Sequence, residues 1–316
     1  MGKKILVAVG NCAYSEQAVK YCARISSAVK DVTYTLFNVK PLLPAILIEK
    51  AEADPEVKAE VDELIREEKE AAGSFVDRFK DLMVGEGISE NRIETVTEPM
   101  QLGMAKDILN RAERGGYDAI VLGRRGLTPT RDCFLGATAT KVVENAVEIP
   151  VWLVSGEAVS MKVLLAVDGS ETSFRILDHL VDMVGPNPDL RLTLFHVQSH
   201  LKHCRSVLAT GRPYEIAREK PRLQEILERE DSRCMEEFYE KALQKLETAG
   251  LKKNQIQIKN TTWSYDISTA ILDEAASQRH GTLMVGRRGK RPAFFAGRIA
   301  MRLLQKTSEQ ALWVVS

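Results

Sequence analysis

The chain has 316 residues, of which 44% are hydrophobic and 28% charged, so it has the composition of a globular protein and the length for two domains with a core each. Its 44 lysines and arginines balance 44 aspartates and glutamates, so no overall field favours nucleic acid or an anionic membrane as a partner. No apolar run reaches 18 residues and MGKKILVAVGN lacks a signal-peptide core, so we expect a cytoplasmic protein without a membrane partner.

Short β-rich runs alternate with segments of helical period along the chain. In the first half these runs read ILVAV, TYTLFNV, RIETV, AIVLG and VWLV, which predicts βαβ units and a parallel sheet. Two long amphipathic segments predict helices with a core-facing stripe. The predicted stripes are Val57, Val61, Leu64, Ala72, Phe75, Phe79 and Leu82 in the first half, and Leu223, Ile226, Leu227, Cys234, Phe238, Ala242 and Leu246 in the second.

The second half of the sequence repeats the first. KILVAV at 4–9 matches KVLLAV at 162–167, an offset of 158, whereas GRRG at 123 matches GRRG at 286, an offset of 163. WLVS at 152–155 matches WVVS at 313–316, an offset of 161. The repeat indicates a tandem duplication. We expect one domain at 1–156 and a second at 161–316, joined by a short linker at 157–160.

A glycine-rich loop follows the fourth strand of each half. In the first half, Gly123, Gly126 and Gly136 have the spacing G-x2-G-x9-G and lead into a predicted helix at Ala137 and Thr138. Glycines let a backbone approach a ligand closely, and a helix N-terminus offers unpaired N–H groups to an anion, so the pattern suits phosphate. A strand-to-helix turn needs glycine in any case, which is the alternative reading. The loop of the second half is two residues shorter.

Together these features resemble the universal stress protein family in its tandem form. The resemblance covers nearly the whole chain: both halves have the first strand and its small-polar turn, a second strand ending in Asn38-Val39 or His196-Val197, and the GxxG loop. It implies two Rossmann-like α/β domains, each a five-stranded parallel sheet flanked by helices. It also implies that the terminal strands IPVWLV and ALWVV pair antiparallel, so that the halves form an intramolecular pseudo-dimer.

In nucleotide-binding members of this family, an aspartate after strand one and the valine closing strand two hold the nucleoside, and G-x2-G-x9-G-(S/T) holds the phosphates. Neither half has the whole pattern. The first half has the full loop, but Gly10 replaces the aspartate, with Asn11 as a partial substitute, and Ala137 replaces the serine or threonine. The second half keeps Asp168, but its loop is short and places Arg298 at that position.

We therefore predict an adenine-nucleotide site, for ATP or AMP, in the first half. Its residues would be Asn11, Val39, Gly123, Arg124, Gly126, Gly136, Ala137 and Thr138. In the second half we predict a degenerate site with weak contributions from Asp168 and Val197. The absent hydrogen bond to a charged group costs roughly 1.5–3 kcal/mol, or about 10- to 100-fold in affinity.

The second half also contains metal-capable side chains in HVQSHLKHC, namely His196, His200, His203 and Cys204. No carboxylate lies near them in the sequence, and we predict no metal site. The carboxylates Glu228, Glu230 and Asp231 have the spacing of a solvated helix face.

Three functions follow from these patterns. The first is a stress-response protein whose nucleotide site reports the adenylate state. The second is a tandem scaffold that binds no nucleotide and acts through protein partners. The third is an enzyme, at most a slow ATPase; we predict no catalytic residues, because no base and no Mg²⁺-binding carboxylate lie near the loop. A monomer and a larger homo-oligomer both fit the sequence.

Overall fold

The computed structural model describes residues 2–124, 136–156, 160–198, 200, 212–262, 266–287 and 297–316. The chain divides into two compact units, which we call unit 1 (Met1–Glu157) and unit 2 (Ala158–Ser316). In the described residues, no helix combines the length and the apolar character needed to cross a membrane.

Unit 1 alternates strands and helices. Its elements are β1 (Lys3–Ala8), α1 (Ala13–Ser26), β2 (Val32–Lys40), α2 (Ala45–Ala53), α3 (Pro55–Gly85), a 3₁₀ turn (Glu90–Arg92), β3 (Ile93–Pro99), α4 (Met104–Gly115), β4 (Ala119–Gly123), α5 (Ala137–Asn145) and β5 (Val151–Val154). The five described strands form a parallel sheet in the order β3-β2-β1-β4-β5.

Unit 2 repeats this arrangement. Its described elements are β6 (Lys162–Ala166), α6 (Glu171–Val184), β7 (Arg191–Val197), α7 (Pro213–Glu219), α8 (Pro221–Thr248), a 3₁₀ turn (Lys253–Gln255), β8 (Ile256–Thr261), α9 (Ile267–Ser277), β9 (Thr282–Gly286), α10 (Arg298–Lys306) and β10 (Ala311–Val315). These strands are also parallel, in the order β8-β7-β6-β9-β10. Each unit is thus the predicted parallel α/β sheet flanked by helices.

The helices keep the offsets of the sequence repeat. Helices α1 and α6 begin 158 residues apart and also end 158 residues apart. Helices α3 and α8 end at Gly85 and Thr248, which are 163 residues apart. Positions in α1 and α6, and positions toward the ends of α3 and α8, can therefore be compared one by one, whereas α3 and α8 begin 166 residues apart.

The strands are buried on both faces, as a parallel sheet requires. In β1, three successive residues, Ile5, Leu6 and Val7, are fully buried, although successive side chains of a strand point to opposite faces. The continuous apolar run ILV therefore reflects helices packed on both sides of the sheet.

The predicted core stripes of the long helices were wrong in part. Leu64 of α3 is 38% exposed, and Leu223 of α8 is 52% exposed. The buried residues are Val61, Ala72, Val76, Phe79 and Met83 in α3, and Asp231, Met235, Phe238, Ala242 and Leu246 in α8. At 1.5 Å per residue, the 31 residues of α3 extend about 46 Å, beyond the roughly 30 Å of the nine-residue β2. The first turns of each long helix therefore have little sheet to cover.

Candidate functional site

The sheet topology brings most of the predicted site residues of unit 1 to one edge. Strand order reverses between β1 and β4, and open α/β sheets bind ligands outside the carboxyl ends of strands at such a switch point. Gly10 and Asn11 follow β1, Val39 lies near the end of β2, and Gly123 ends β4. In unit 2, Asp168 follows β6 and Val197 ends β7.

The base of the glycine loop is held in the same way in both units. In unit 1, Arg124 N donates to Val154 O at 2.9 Å and Gly136 N donates to Arg124 O at 3.0 Å. In unit 2, Arg287 N donates to Val315 O and Gly297 N donates to Arg287 O, both at 2.6 Å. The difference in loop length therefore falls between these anchors, at 125–135 and 288–296. Gly126, a predicted site residue, lies there, outside the described residues.

Helix α5 begins where the loop of unit 1 ends. The N–H groups of its first turn, from Ala137 and Thr138 onward, have no acceptor within the helix, which makes this end attractive to an anion. Thr138 is half-buried. Thr140 donates its hydroxyl to Gly136 O at 3.2 Å, so it is not an additional ligand donor in this conformation.

Gly123 and Arg124 have roles in the fold itself. A Cβ atom on Gly123 would lie 2.6 Å from the carbonyl oxygen of Tyr14, in the first turn of α1, so no larger residue fits without moving backbone. The side chain of Arg124 is only 6% exposed, and its backbone makes the loop-base hydrogen bonds. The glycine that ends β4 is therefore explained by helix packing, whether or not a ligand binds.

The turn after β1 in unit 1 is open. A Cβ atom on Gly10 would have no neighbouring atom within 4 Å, and Asn11 is exposed. Gly10 N donates to Ser15 Oγ at 2.9 Å, and Cys12 Sγ lies 3.3 Å from the same oxygen. Helix α1 is thus anchored to the turn without the missing carboxylate.

The turn after β6 in unit 2 is half-buried and is contacted by helix α8. Asp168 accepts hydrogen bonds through Oδ1 from Ser170 N at 3.0 Å and from Ser173 Oγ at 2.9 Å, at the start of α6. Gly169 has a φ of +69°, and a Cβ atom there would lie 2.7 Å from Cys234 Sγ of α8. The helix therefore lies directly against the turn that is open in unit 1.

A buried histidine–aspartate pair lies beside this turn. His196 Nδ1 is 2.9 Å from Val167 O, and His196 Nε2 is 2.8 Å from Asp231 Oδ2. His196 is 3% exposed and Asp231 is 8% exposed. Because a carbonyl only accepts, Nδ1 is the nitrogen that donates to Val167 O, while Nε2 lies within hydrogen-bonding distance of the carboxylate.

This pair corrects two expectations. Asp231 is not on a solvated face, and a carboxylate does lie beside His196, contributed by a helix 35 residues away in the chain. Sequence proximity to HVQSHLKHC could not have found it. Asp231 lies four residues before the buried Met235, on the buried face of α8, and that register is the signal we missed.

The equivalent position in unit 1 is Asn38, which donates from Nδ2 to Val9 O at 2.9 Å. Both residues thus bind the last carbonyl of the neighbouring strand region, but only His196 has a second nitrogen for a helix carboxylate. Among the described residues, no three His, Cys, Asp or Glu side chains come together as a possible metal site. His203 and Cys204 lie outside the described residues.

Comparison with known proteins gives a consistent result for both units. A family model described as the Universal stress protein family matches residues 1–155 and again residues 160–315. A search of the curated proteins finds no match to this chain.

Two solved structures align over nearly the whole chain, and a third aligns over about half of it. A universal stress protein from Archaeoglobus fulgidus DSM 4304 aligns over 99% of this chain and 98% of its own, with 16% identity and a TM-score of 0.62. A functionally unknown protein from Pseudomonas aeruginosa PAO1 aligns over 99% and 92%, with 15% identity and a TM-score of 0.58. A universal stress protein solved in complex with cAMP covers 48% of this chain and 96% of its own, with 16% identity and a TM-score of 0.35.

Proposed function

Because the chain belongs to the universal stress protein family, with one domain of the family in each half, we propose that it is a stress-response protein that binds an adenine nucleotide, ATP or AMP, in unit 1. The nucleoside would lie outside the carboxyl ends of β1 and β2, near Asn11 and Val39. The phosphates would lie against the glycine loop and the first turn of α5, near Gly136, Ala137 and Thr138. Unit 2 would be degenerate, with Asp168 and Val197 as remnants of its site.

The open turn after β1 is the observation that carries this proposal. Space beside Gly10 and the exposure of Asn11 leave room for a ligand at the position where the topology favours one. The first turn of α5 supplies unpaired N–H groups and a positive dipole end at the same edge of the sheet. The site has no carboxylate after β1, so we expect weak binding.

Two substitutions of Gly10 test the site in opposite directions. Gly10→Asp supplies the carboxylate that nucleotide-binding members have, and we expect ATP to bind about 10- to 100-fold more tightly, from a charge-assisted hydrogen bond of roughly 1.5–3 kcal/mol. Gly10→Phe fills the open space, and we expect it to abolish binding. Calorimetric titration with ATP and with AMP measures both.

Gly85→Phe is the matched control. Gly85 also has no atom within 4 Å of a Cβ position, and it ends α3 just before β3 begins, at the edge of the sheet opposite the site. We expect this variant to bind like the wild type. If Gly10→Phe also binds like the wild type, or if no nucleotide binds even to Gly10→Asp at millimolar concentration, the proposal is wrong.

A tandem scaffold without nucleotide is the second candidate function. It is favoured by helix α2, which has no buried residue and exposes Ile46, Leu47 and Ile48 to between 37% and 57%. Exposed apolar side chains of this kind suit a protein partner. Nucleotide absent from the denatured, freshly purified protein, together with no rise in melting temperature at millimolar ATP, would favour this function. The pairing of the two units as a pseudo-dimer stays a prediction.

A further inference from the structure

We infer that helix α8 closes the cleft of unit 2. Four side chains, three on α8 and one on β7, decide which unit admits a ligand. These side chains are His196, Asp231, Cys234 and Met235. The inference rests on the proposed function of unit 1, whose cleft is the open counterpart, but it assigns the difference between the units to the helix and not to the shortened loop.

The offsets of the repeat, 163 at the ends of α3 and α8 and 158 at β1 and β2, identify the counterparts in unit 1. Subtracting 163 from the α8 positions gives Glu68, Ala71 and Ala72 in α3, and subtracting 158 from 196 gives Asn38. Unit 1 therefore has an amide for the histidine, a longer carboxylate for the aspartate, and two alanines for the cysteine and the methionine.

Side chains of α8 fill the space beside the turn after β6. In unit 2, a Cβ atom on Gly169 would lie 2.7 Å from Cys234 Sγ and 3.4 Å from Met235 Sδ, so these two sulfur atoms occupy the space against this half-buried glycine. In unit 1 the counterpart of Gly169 is Asn11, which is exposed. Alanines at 71 and 72 lack the sulfur atoms that fill this space.

A buried pair of side chains also holds α8 against the sheet. The His196–Asp231 pair is almost completely buried and joins α8 to the end of β7, and a buried pair of this kind opposes any movement that separates its partners. The carboxylate of Glu68 instead pairs with Lys40 Nζ at 3.4 Å, where the two side chains are 40% and 24% exposed. Solvent weakens such a pair, so it constrains α3 less.

Other ionisable and polar groups of unit 2 face the same region. Asp168 is held by Ser170 and Ser173 of the α6 start, and Tyr239 of α8 donates to Asn260 of β8 at 2.5 Å. Burial first, and the negative charge of Asp231 second, raise the pKa of Tyr239. The Tyr239–Asn260 hydrogen bond attaches α8 to the edge strand β8.

A variant that copies unit 1 tests the inference. It combines His196→Asn, Asp231→Glu, Cys234→Ala and Met235→Ala in the full chain, with folding checked by circular dichroism and gel filtration. The measurement is the number of AMP molecules bound per chain at saturation, by equilibrium dialysis; AMP has one phosphate and makes the least demand on the short loop. We expect one AMP for the wild type and two for the variant.

The outcomes separate this inference from the proposed function. One AMP for both proteins means that the loop excludes the ligand and that the inference is wrong, while unit 1 still binds. None for the wild type and one for the variant supports the closure and overturns the proposed function. None for both overturns both.

A second measurement does not depend on any ligand. Asp231→Ala breaks the His196–Asp231 pair, and we expect backbone amides at 168–173 and in the facing turns of α8 to exchange hydrogen at least about tenfold faster, since a buried partner is left unsatisfied. Glu230→Ala is the matched control, because Glu230 is the preceding residue, is 47% exposed and pairs with Arg233 at the surface. Equal exchange in the two variants would show that the pair does not hold the helix.

Discussion

Substitution of Gly123 by alanine separates the structural role of a motif glycine from its role in binding. The new Cβ atom would lie 2.6 Å from Tyr14 O, 2.7 Å from Tyr14 C and 2.8 Å from Tyr14 Cβ, all closer than real Cβ contacts. Two of these atoms are backbone, so the clash is relieved only by moving α1 or the end of β4. Overpacking of this kind costs about 1–3 kcal/mol.

Gly10→Ala is the control, because it adds the same methyl group where no atom lies within 4 Å. We expect its effect on stability to stay within about 0.5 kcal/mol. Gly123→Ala should lower the melting temperature of unit 1 by roughly 2–12 °C, at 2–4 °C per kcal/mol for a unit of this size.

Hydrogen exchange measured by mass spectrometry assigns the effect to one unit. Peptides from β1 and β4 should exchange faster in Gly123→Ala, while the equivalent peptides from β6 and β9 serve as an internal reference. A melting temperature and exchange pattern equal to those of Gly10→Ala would refute the packing explanation, and Gly123 would then be explained by a ligand alone.

Three further predictions concern stability. Arg24 donates to both oxygens of Glu86 at 2.7 and 2.8 Å, and chiefly this hydrogen bond holds the pKa of Glu86 below its usual 4.5. Above pH 4.5, the free energy of unfolding of the wild type should exceed that of Glu86→Gln by at most about 1 kcal/mol. In urea titrations, this difference should disappear as the pH falls through the lower pKa that Glu86 has in the folded state. Gly73→Ala, at an open position inside α3, should stabilise unit 1 by about 0.5–1 kcal/mol in thermal unfolding. Asp168→Ala should destabilise unit 2 by about 0.5–2 kcal/mol without any ligand present, because the carboxylate binds Ser170 N and Ser173 Oγ, and faster exchange at the start of α6 would show it.

The fold was predictable because its signals are local and occur twice. Continuous apolar runs such as ILVAV indicate strands buried on both faces, and alternation with helical segments indicates parallel pairing. The repeat has offsets of 158, 163 and 161; α1 and α6 differ by 158, the ends of α3 and α8 by 163, and α5 and α10 by 161.

The closure of unit 2 was not predictable in the same way, because it depends on which face of a long helix meets the sheet. The apolar residues Leu223 and Ile226 suggested one face, yet the buried face contains Asp231. A search for hydrophobic periodicity assigns charged residues to the solvent face, so it does not predict a carboxylate on the buried face of a helix. Its partner His196 lies on another element, so neither local sequence contains the pair.

A motif residue is weak evidence for a ligand when it also has a structural role, as the two units show. Asp168 stands where nucleotide-binding members of the family have their aspartate. In unit 2, its carboxylate accepts hydrogen bonds at the start of α6, and this structural role is by itself a reason for an aspartate at this position. In unit 1, Gly10 N donates to Ser15 Oγ just as Asp168 N donates to Ser173 Oγ in unit 2, so this shared bond holds α1 even without the carboxylate. The carboxylate is therefore found in the unit whose cleft is covered by Cys234, and it is missing from the unit whose cleft is open. Since a ligand must first have space, the residues of the helix that faces the cleft are a better guide than the motif to which copy the proposed nucleotide would enter.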